Sequence, residues 1–199
     1  MTAANDSFDT TDINRRMTRF DDHSRVWLFG YGSLIYKTDF PYIESRPASI
    51  RGWQRRFWQG SHDHRGTPQA PGRVVTLIAA ADAICVGMAY LIEPETFGPL
   101  DIREKNGYLR LATEFTLDDT RQVEGLVYIA TAENAAFLGP ASARDIARHI
   151  ADSHGPSGPN RDYLIGLADA LRTLRADDPH VFEIERELFE LEAGAGADD

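Results

Sequence analysis

Three segments of the chain bring together residue types that can do chemistry. In Leu100-Asp101-Ile102-Arg103-Glu104-Lys105-Asn106-Gly107-Tyr108, one carboxyl stands between two cations at the expected end of a short helix. A carboxylate there faces the negative end of the helix dipole, which lifts its pKa towards the range of a general acid/base. Arg103 and Lys105 pull the other way wherever they reach it, and taken alone such a triplet is an ordinary solvated charge cluster. In Phe29-Gly30-Tyr31-Gly32-Ser33-Leu34, two glycines follow an apolar run. They permit a sharp turn whose successive N–H groups converge on an anion. No Lys-Ser/Thr follows as in a P-loop, and Ile35 stands where a dinucleotide-binding loop needs its third glycine. The spacing is not that of a serine-hydrolase elbow either. The third segment, Arg55 to Gly66, mixes arginines, aromatics and His62-Asp63-His64, and its plain reading is a tied-down loop with the arginines on a rim. His62 and His64 stand alone as a pair, and no second ligand cluster lies at zinc spacing, so no metal is expected. Cys85, between Ile84 and Val86, reads as a small buried hydrophobe, and Tyr163 as either core or a ligand-facing hydroxyl.

The elements that must position these groups fall into two halves. Strands are predicted near Val26–Phe29, Ala48–Trp58, Arg73–Ala80, Ile84–Ile92, Tyr108–Leu117 and Gln122–Ala130, about six in all. The fifth shows the alternation most plainly, with Leu109, Leu111, Thr113, Phe115 and Leu117 on one face. A short helix is expected around Glu95 to Lys105, closed by Gly107. Few helical patterns separate the strands, which favours a curled, mostly antiparallel sheet or small barrel over a doubly wound sheet. Three helices follow. Ser142 is expected to cap the first, whose Ala143, Ile146, Ala147 and Ile150 share one face. Asn160 is expected to cap the second, with Leu164, Leu167, Leu171 and Leu174 inward, and Asp178-Pro179 starts the third, with Val181, Ile184, Leu188 and Leu191 inward. The fold class is therefore α+β, a curled, mostly antiparallel sheet or small barrel with a helical C-terminal segment. It is read as one domain over residues 25–192, with a polar, flexible arm over 1–24 and a flexible acidic tail over 193–199.

Composition excludes several roles. At 199 residues, 42% hydrophobic and 26% charged, the chain has the profile of an ordinary globular protein. A net charge of −10 repels polyanions and argues against nucleic acid. No run has the length of a membrane-spanning helix and no signal or transit peptide is readable. One cysteine rules out an internal disulfide and suits a reducing compartment, so a cytoplasmic location is expected.

In order and at natural spacing, the segments resemble the ChaC-like γ-glutamylcyclotransferases. The carriers are Val26 to Ile35, Arg55 to Ser61 with Asp63-His64-Arg65-Gly66, Pro71 to Leu77, Arg103-Glu104-Lys105 with Gly107-Tyr108, Leu138-Gly139-Pro140, and Gly155-Pro156-Ser157-Gly158 with Asn160 and Tyr163-Leu164. The resemblance spans about Val26 to Leu191. It implies a compact barrel flanked by helices, no metal and no organic cofactor. It implies glutathione as substrate, cleaved to 5-oxoproline and cysteinylglycine by a monomer or weak dimer. It assigns catalysis to Glu104, and substrate binding to Leu28, Phe29, Gly30, Tyr31, Gly32, Ser33, Leu34, Arg65 and Tyr163. The loop N–H groups from about Gly30 to Ser33 either anchor the substrate α-carboxylate, the reading favoured here, or stabilise an oxyanion. Arg51, Arg55, Arg56 and Arg65 are the candidates to read the distal carboxylate. Other γ-glutamyl amines or amino acids are the alternative substrates, and a non-catalytic γ-glutamyl-binding module linked to cation transport is the alternative role.

Three features depart from the family pattern. Glu93 to Leu100 is shorter than the family's acidic, helix-prone counterpart, which in some members covers the site as a lid, and Gly98-Pro99 is expected to interrupt any helix there. Tyr36 stands where tryptophan is common, and His62 at a position not usually histidine.

Overall fold

A computed structural model describes residues 8–195. Five strands close into a barrel: β1 (Val26–Gly30), β2 (Glu44–Ser61), β3 (Gly72–Ile92), β4 (Tyr108–Leu117) and β5 (Gln122–Ala130), in the order β1-β3-β2-β4-β5. β1 is antiparallel to β3 and parallel to β5, and every other pairing is antiparallel. The two strands expected at Arg73–Ala80 and Ile84–Ile92 are one continuous strand. Ala80-Ala81-Asp82-Ala83 stand opposite Gly52 alone, a bulge that carries β3 across the gap between the two expected strands. The β2–β3 register shifts between Arg51 and Trp53, where Gly52 takes φ +84°.

β2 leaves β4 almost at once. Ala48 and Ser49 pair with Leu117 and Thr116, and the remainder of β4 has no partner on that side within the barrel. Helices cover the other faces: α1 (Thr11–Arg15), α2 (Phe97–Arg103), α3 (Ala143–Asp152), α4 (Asn160–Thr173) and α5 (Pro179–Ala195). One apolar cluster joins Phe29, Ile50, Phe57 and Leu77 of the barrel to Ile146, Ile150, Leu164, Leu167, Ile184 and Leu188 of the last three helices. A second joins Leu28, Tyr90 and Leu126 to Phe97 and Leu100 of α2 and to Phe20. The Ser142 hydroxyl caps α3 by accepting from Asp145 N at 3.1 Å. Asn160 does not cap. Pro159 stands at the N-cap of α4, while the Asn160 side chain clasps β3, accepting from Arg73 N at 2.7 Å and donating to Arg73 O at 2.8 Å. Gly98 and Pro99 do not interrupt α2. They lie in its first turn, where a missing N–H has no helical acceptor to lose.

The N-terminal segment also departs from expectation. Residues 1–7 of the expected flexible arm, and 196–199 of the expected tail, lie outside the described residues. From Phe8 onward the arm is docked, with Asn14 buried and Phe20 in the second cluster. Its polar composition reads as solvated, yet Thr10 and Asn14 spend their hydrogen bonds on the barrel.

Arg55, expected on a rim, points inward from β2 and is 2% exposed. Its guanidinium donates to Tyr31 O at 2.6 Å and Val86 O at 2.5 Å, and pairs with Asp178 just before α5. A buried cation stays inside only when its donors are answered. Asp178→Ala strands this one, and urea denaturation is expected to report a loss of about 3–5 kcal/mol. A loss below 1 kcal/mol would mean that water reaches Arg55.

Candidate active site

Where β1 runs out, the chain turns through Tyr31 and Gly32 into a 3-10 turn over Ser33–Ile35. That turn forms one wall of a cavity of about 270 Å³, which Glu104 also lines. Two of the loop's residues fit through close approach. A Cβ on Gly30 would come within 2.7 Å of Leu34 Cβ, and one on Gly32 within 2.9 Å of the Tyr163 hydroxyl. The Tyr31 hydroxyl donates to Tyr128 O at 2.7 Å, and its carbonyl holds Arg55, so the loop is fixed on both sides. Its first N–H groups lack acceptors within the 3-10 turn, as at the start of any helical turn.

Glu104 stands as the C-cap of α2, its N–H donating to Leu100 O at 2.8 Å. Its side chain is 16% exposed, and what exposure it has opens on the cavity. Burial pushes the carboxyl up to about 7, against the pull of Arg103 and with the carboxylates of Asp63 and Asp39 adding to the rise. The question left open by the sequence, dipole against flanking cations, is thus overtaken by desolvation. Arg103 reaches Glu104 at 3.3 Å, but the same guanidinium serves Asp39, Ser33 Oγ at 3.1 Å and Lys37 O at 3.3 Å. A cation divided four ways offsets only part of the burial penalty.

Of the residues singled out from sequence, Phe29, Tyr31, Gly32, Ser33, Leu34, Arg65, Glu104 and Tyr163 line the cavity together. Leu28 and Gly30 do not. Leu28 is fully buried in the second apolar cluster, because alternate side chains of β1 face opposite ways, and Gly30 is consumed by its contact with Leu34. Tyr163 is both core and ligand-facing, since it is buried and its hydroxyl accepts from Val75 N at 3.4 Å beside Gly32. Among the arginines considered for a distal carboxylate, Arg65 alone borders the cavity, with Nη1 donating to Pro159 O at 3.0 Å. Arg55 has its donors engaged inside the fold, and Arg51 and Arg56 lie elsewhere. The two histidines diverge. His62 stacks on Phe8 at 4.5 Å, and His64 Nδ1 lies 3.1 Å from Ser157 Oγ. Among the described residues no group of three His, Cys, Asp or Glu side chains could hold a metal.

Other wall residues escaped the sequence reading as site members. Tyr108 directs its hydroxyl to Val75 O at 2.7 Å, and Asp63 accepts from Asn106 Nδ2 at 2.8 Å. Lys37 and Asp39, just past the 3-10 turn, close another side. Tyr108 had a signal in its place four residues after Glu104. Asp39 had none, because only the docking of Arg103 brings it in.

The sequence and the closed mixed barrel both match a known group of proteins. Residues 26–190 match the family model described as ChaC-like protein, and the chain belongs to that family. Glutathione-specific γ-glutamylcyclotransferase 1 of Danio rerio is 45% identical over 176 residues, covering 83% of this chain and 90% of that protein. γ-Glutamylcyclotransferase 2-3 of Arabidopsis thaliana is 45% identical over 175 residues, covering 82% and 88%. The crystal structure of the glutathione-specific γ-glutamyl cyclotransferase from yeast superposes with a TM-score of 0.80 at 33% identity, covering 84% of this chain and 97% of that one. Among the described residues no helix is long and apolar enough to cross a membrane.

The raised pKa of Glu104 has a consequence for stability. The folded state holds its proton more tightly than the unfolded chain, whose value is near 4.5, so the cost of burying the charge is absent below about 4.5, grows as pH rises and is complete above about 7. Glu104→Gln is therefore expected to stabilise the protein at pH 8, by up to about 3 kcal/mol, and to have little effect at pH 4. Thermal melts at the two pH values check this; equal shifts at both would rule out a desolvated carboxylate.

Proposed function

We propose that this chain is a glutathione-specific γ-glutamylcyclotransferase, a carbon–nitrogen lyase that converts glutathione to 5-oxoproline and cysteinylglycine with Glu104 as its acid/base. The observation that carries the reading is one mostly buried carboxyl, its pKa raised to about 7, sharing a cavity with the glycine turn. The names of the relatives support the substrate.

The reaction is intramolecular. The substrate α-amine attacks its own γ-carbonyl, a five-membered lactam closes, and the amide C–N bond to cysteine breaks. At neutral pH the α-amine is an ammonium. On its way to the lactam that nitrogen gives up two protons, and the departing nitrogen gains two as it leaves as an ammonium. A carboxyl poised near neutrality can accept and return each in turn, because neither transfer is steeply uphill. No enzyme nucleophile is required. Holding the flexible γ-glutamyl arm in its folded conformer supplies much of the rate, roughly 7 kcal/mol at the low end for oriented intramolecular reactions. The N–H groups between Tyr31 and Leu34 anchor the α-carboxylate, Tyr163 and Tyr108 wall the γ-glutamyl arm, and Arg65 meets the glycine carboxylate at the other end. The chemistry calls for no metal or organic cofactor. A buried Cys85, with its thiol pushed up to about 11 by burial, fits work in a reducing cytoplasm on a small soluble substrate, as a monomer or weak dimer.

Purified protein is expected to release cysteinylglycine and 5-oxoproline from glutathione with or without chelator, by mass spectrometry. Glu104→Gln is expected to lower kcat at least a thousandfold in folded protein, and kcat/KM of the wild type to climb as pH rises through about 7, as Glu104 ionises. Turnover in Glu104→Gln near the wild-type rate would remove Glu104 from its role.

Arg65→Met is expected to raise KM for glutathione tenfold or more while changing KM for a γ-glutamylamine without a distal carboxylate less than threefold. Equal changes for both would leave Arg65 no part in selecting the tripeptide.

A further inference from the structure

The turn that follows Glu104 is held from outside the family's portion of the chain. The family model begins at residue 26, and residues 8–15 lie before it. Those residues run across Lys105-Asn106-Gly107 and the start of β4. Gly107 N donates to Phe8 O at 2.8 Å, Asp9 bridges Asn106, and Thr10 N donates to Lys105 O at 2.9 Å. The Thr10 hydroxyl donates to Tyr108 O at 2.7 Å, and Asn14 Nδ2 reaches the same carbonyl at 3.0 Å. Asn14 Oδ1 in turn accepts from Arg110 N at 2.8 Å. Thr10 is 8% exposed and Asn14 1%.

This is the edge of β4 that β2 abandons. Tyr108 O and Arg110 N point away from β5, and without the N-terminal segment they would be an unpaired strand edge beside the cavity. The residues so held are those next to the reacting groups, since Lys105 follows Glu104 and Tyr108 directs its hydroxyl into the wall at Val75 O. Glu104 itself has no helix beyond it, α2 having ended at Arg103. Its backbone is therefore set by α2 on one side and by this turn on the other.

We propose that Thr10 and Asn14 are positioning residues for the cyclisation: the strap over residues 8–15 fixes the Lys105–Gly107 turn and the start of β4, and through them sets the Glu104 carboxyl and the Tyr108 hydroxyl in the cavity. The proposal rests on Glu104 being the acid/base. The hydrogen bonds of the strap go to residues 105–110 and not to the glycine turn or Arg65, so its loss disturbs the chemical step more than substrate capture. A displacement of about 1 Å in a reacting group can cost about a hundredfold in rate.

The test uses the full chain with Thr10→Val, which keeps the shape and removes the hydroxyl, with Asn14→Ala, and with Thr10→Ser as the conservative control. With glutathione as substrate, and on protein that retains a cooperative thermal transition, Thr10→Val and Asn14→Ala are expected to lower kcat at least tenfold with KM within twofold, while Thr10→Ser keeps kcat within twofold of wild type. Amide hydrogen exchange at Gly107 and Arg110 is expected to speed up in the first two, with β5 still protected. Wild-type kcat in either of these variants, an equal fall in Thr10→Ser, or faster exchange spread evenly over the barrel would each overturn the proposal. If the wild type turns over no γ-glutamyl peptide, the assignment of Glu104 fails separately. Exchange at Gly107 and Arg110 then decides alone whether the strap orders the turn, and unchanged rates there overturn it.

Discussion

Arg55 is the interaction on which the rest of this architecture leans. A guanidinium inside a small barrel cannot be left unanswered, and the groups that answer it come from three places: the carbonyl of Tyr31 at the exit of β1, the carbonyl of Val86 on β3, and the carboxylate of Asp178 ahead of α5. One cation thereby ties the cavity loop, the barrel wall and the helical layer together. The glycine turn is held from behind by this contact, with its front on the cavity. Burial of the charge costs free energy that an apolar residue would not. In exchange the fold gains a fixed relation between the loop and the helices that carry Tyr163.

The electrostatics of the cavity follow the same logic of divided loyalties. Arg103 lies beside Glu104 and in water would keep it ionised. Here the same guanidinium is drawn to Asp39 and to Ser33 and Lys37, while Asp63 and Asp39 add negative charge nearby. Desolvation then dominates, and the carboxyl titrates close to neutrality. The position of a carboxyl in this range suits a group that must take a proton and return it within one turnover.

Much of the framework is legible from residue patterns. The strand from Tyr108 to Leu117, the stripes of Ile146 and Ile150 and of Leu164, Leu167 and Leu171, and the Ser142 cap all act over a few residues, and each appears as read, although the alternation shows in burial only at Phe115 and Leu117. The glycine turn and Glu104 were legible as candidates because their types and order resemble a family. Where the reading went astray, the deciding partner was remote in sequence. Asn160 looked like a cap but bonds to Arg73, and Arg55 looked like a rim cation but bonds to Asp178. Thr10 and Asn14 looked solvated but complete an edge almost a hundred residues away. Gly98-Pro99 looked like a break, yet a first turn tolerates both residues.

The amino-acid order by itself determined most of the strands and helices and which few residues carried reactive groups, because periodicity and glycine conformation are local properties. Only the tertiary structure decided that Glu104 is desolvated, that Lys37, Asp39, Asp63 and Tyr108 share its cavity, and that Leu28 and Gly30 do not. Those outcomes depend on the closing of the barrel and on how one cation divides itself among distant acceptors. Burial and charge sharing are properties of the whole packed chain, and no short window of sequence contains them.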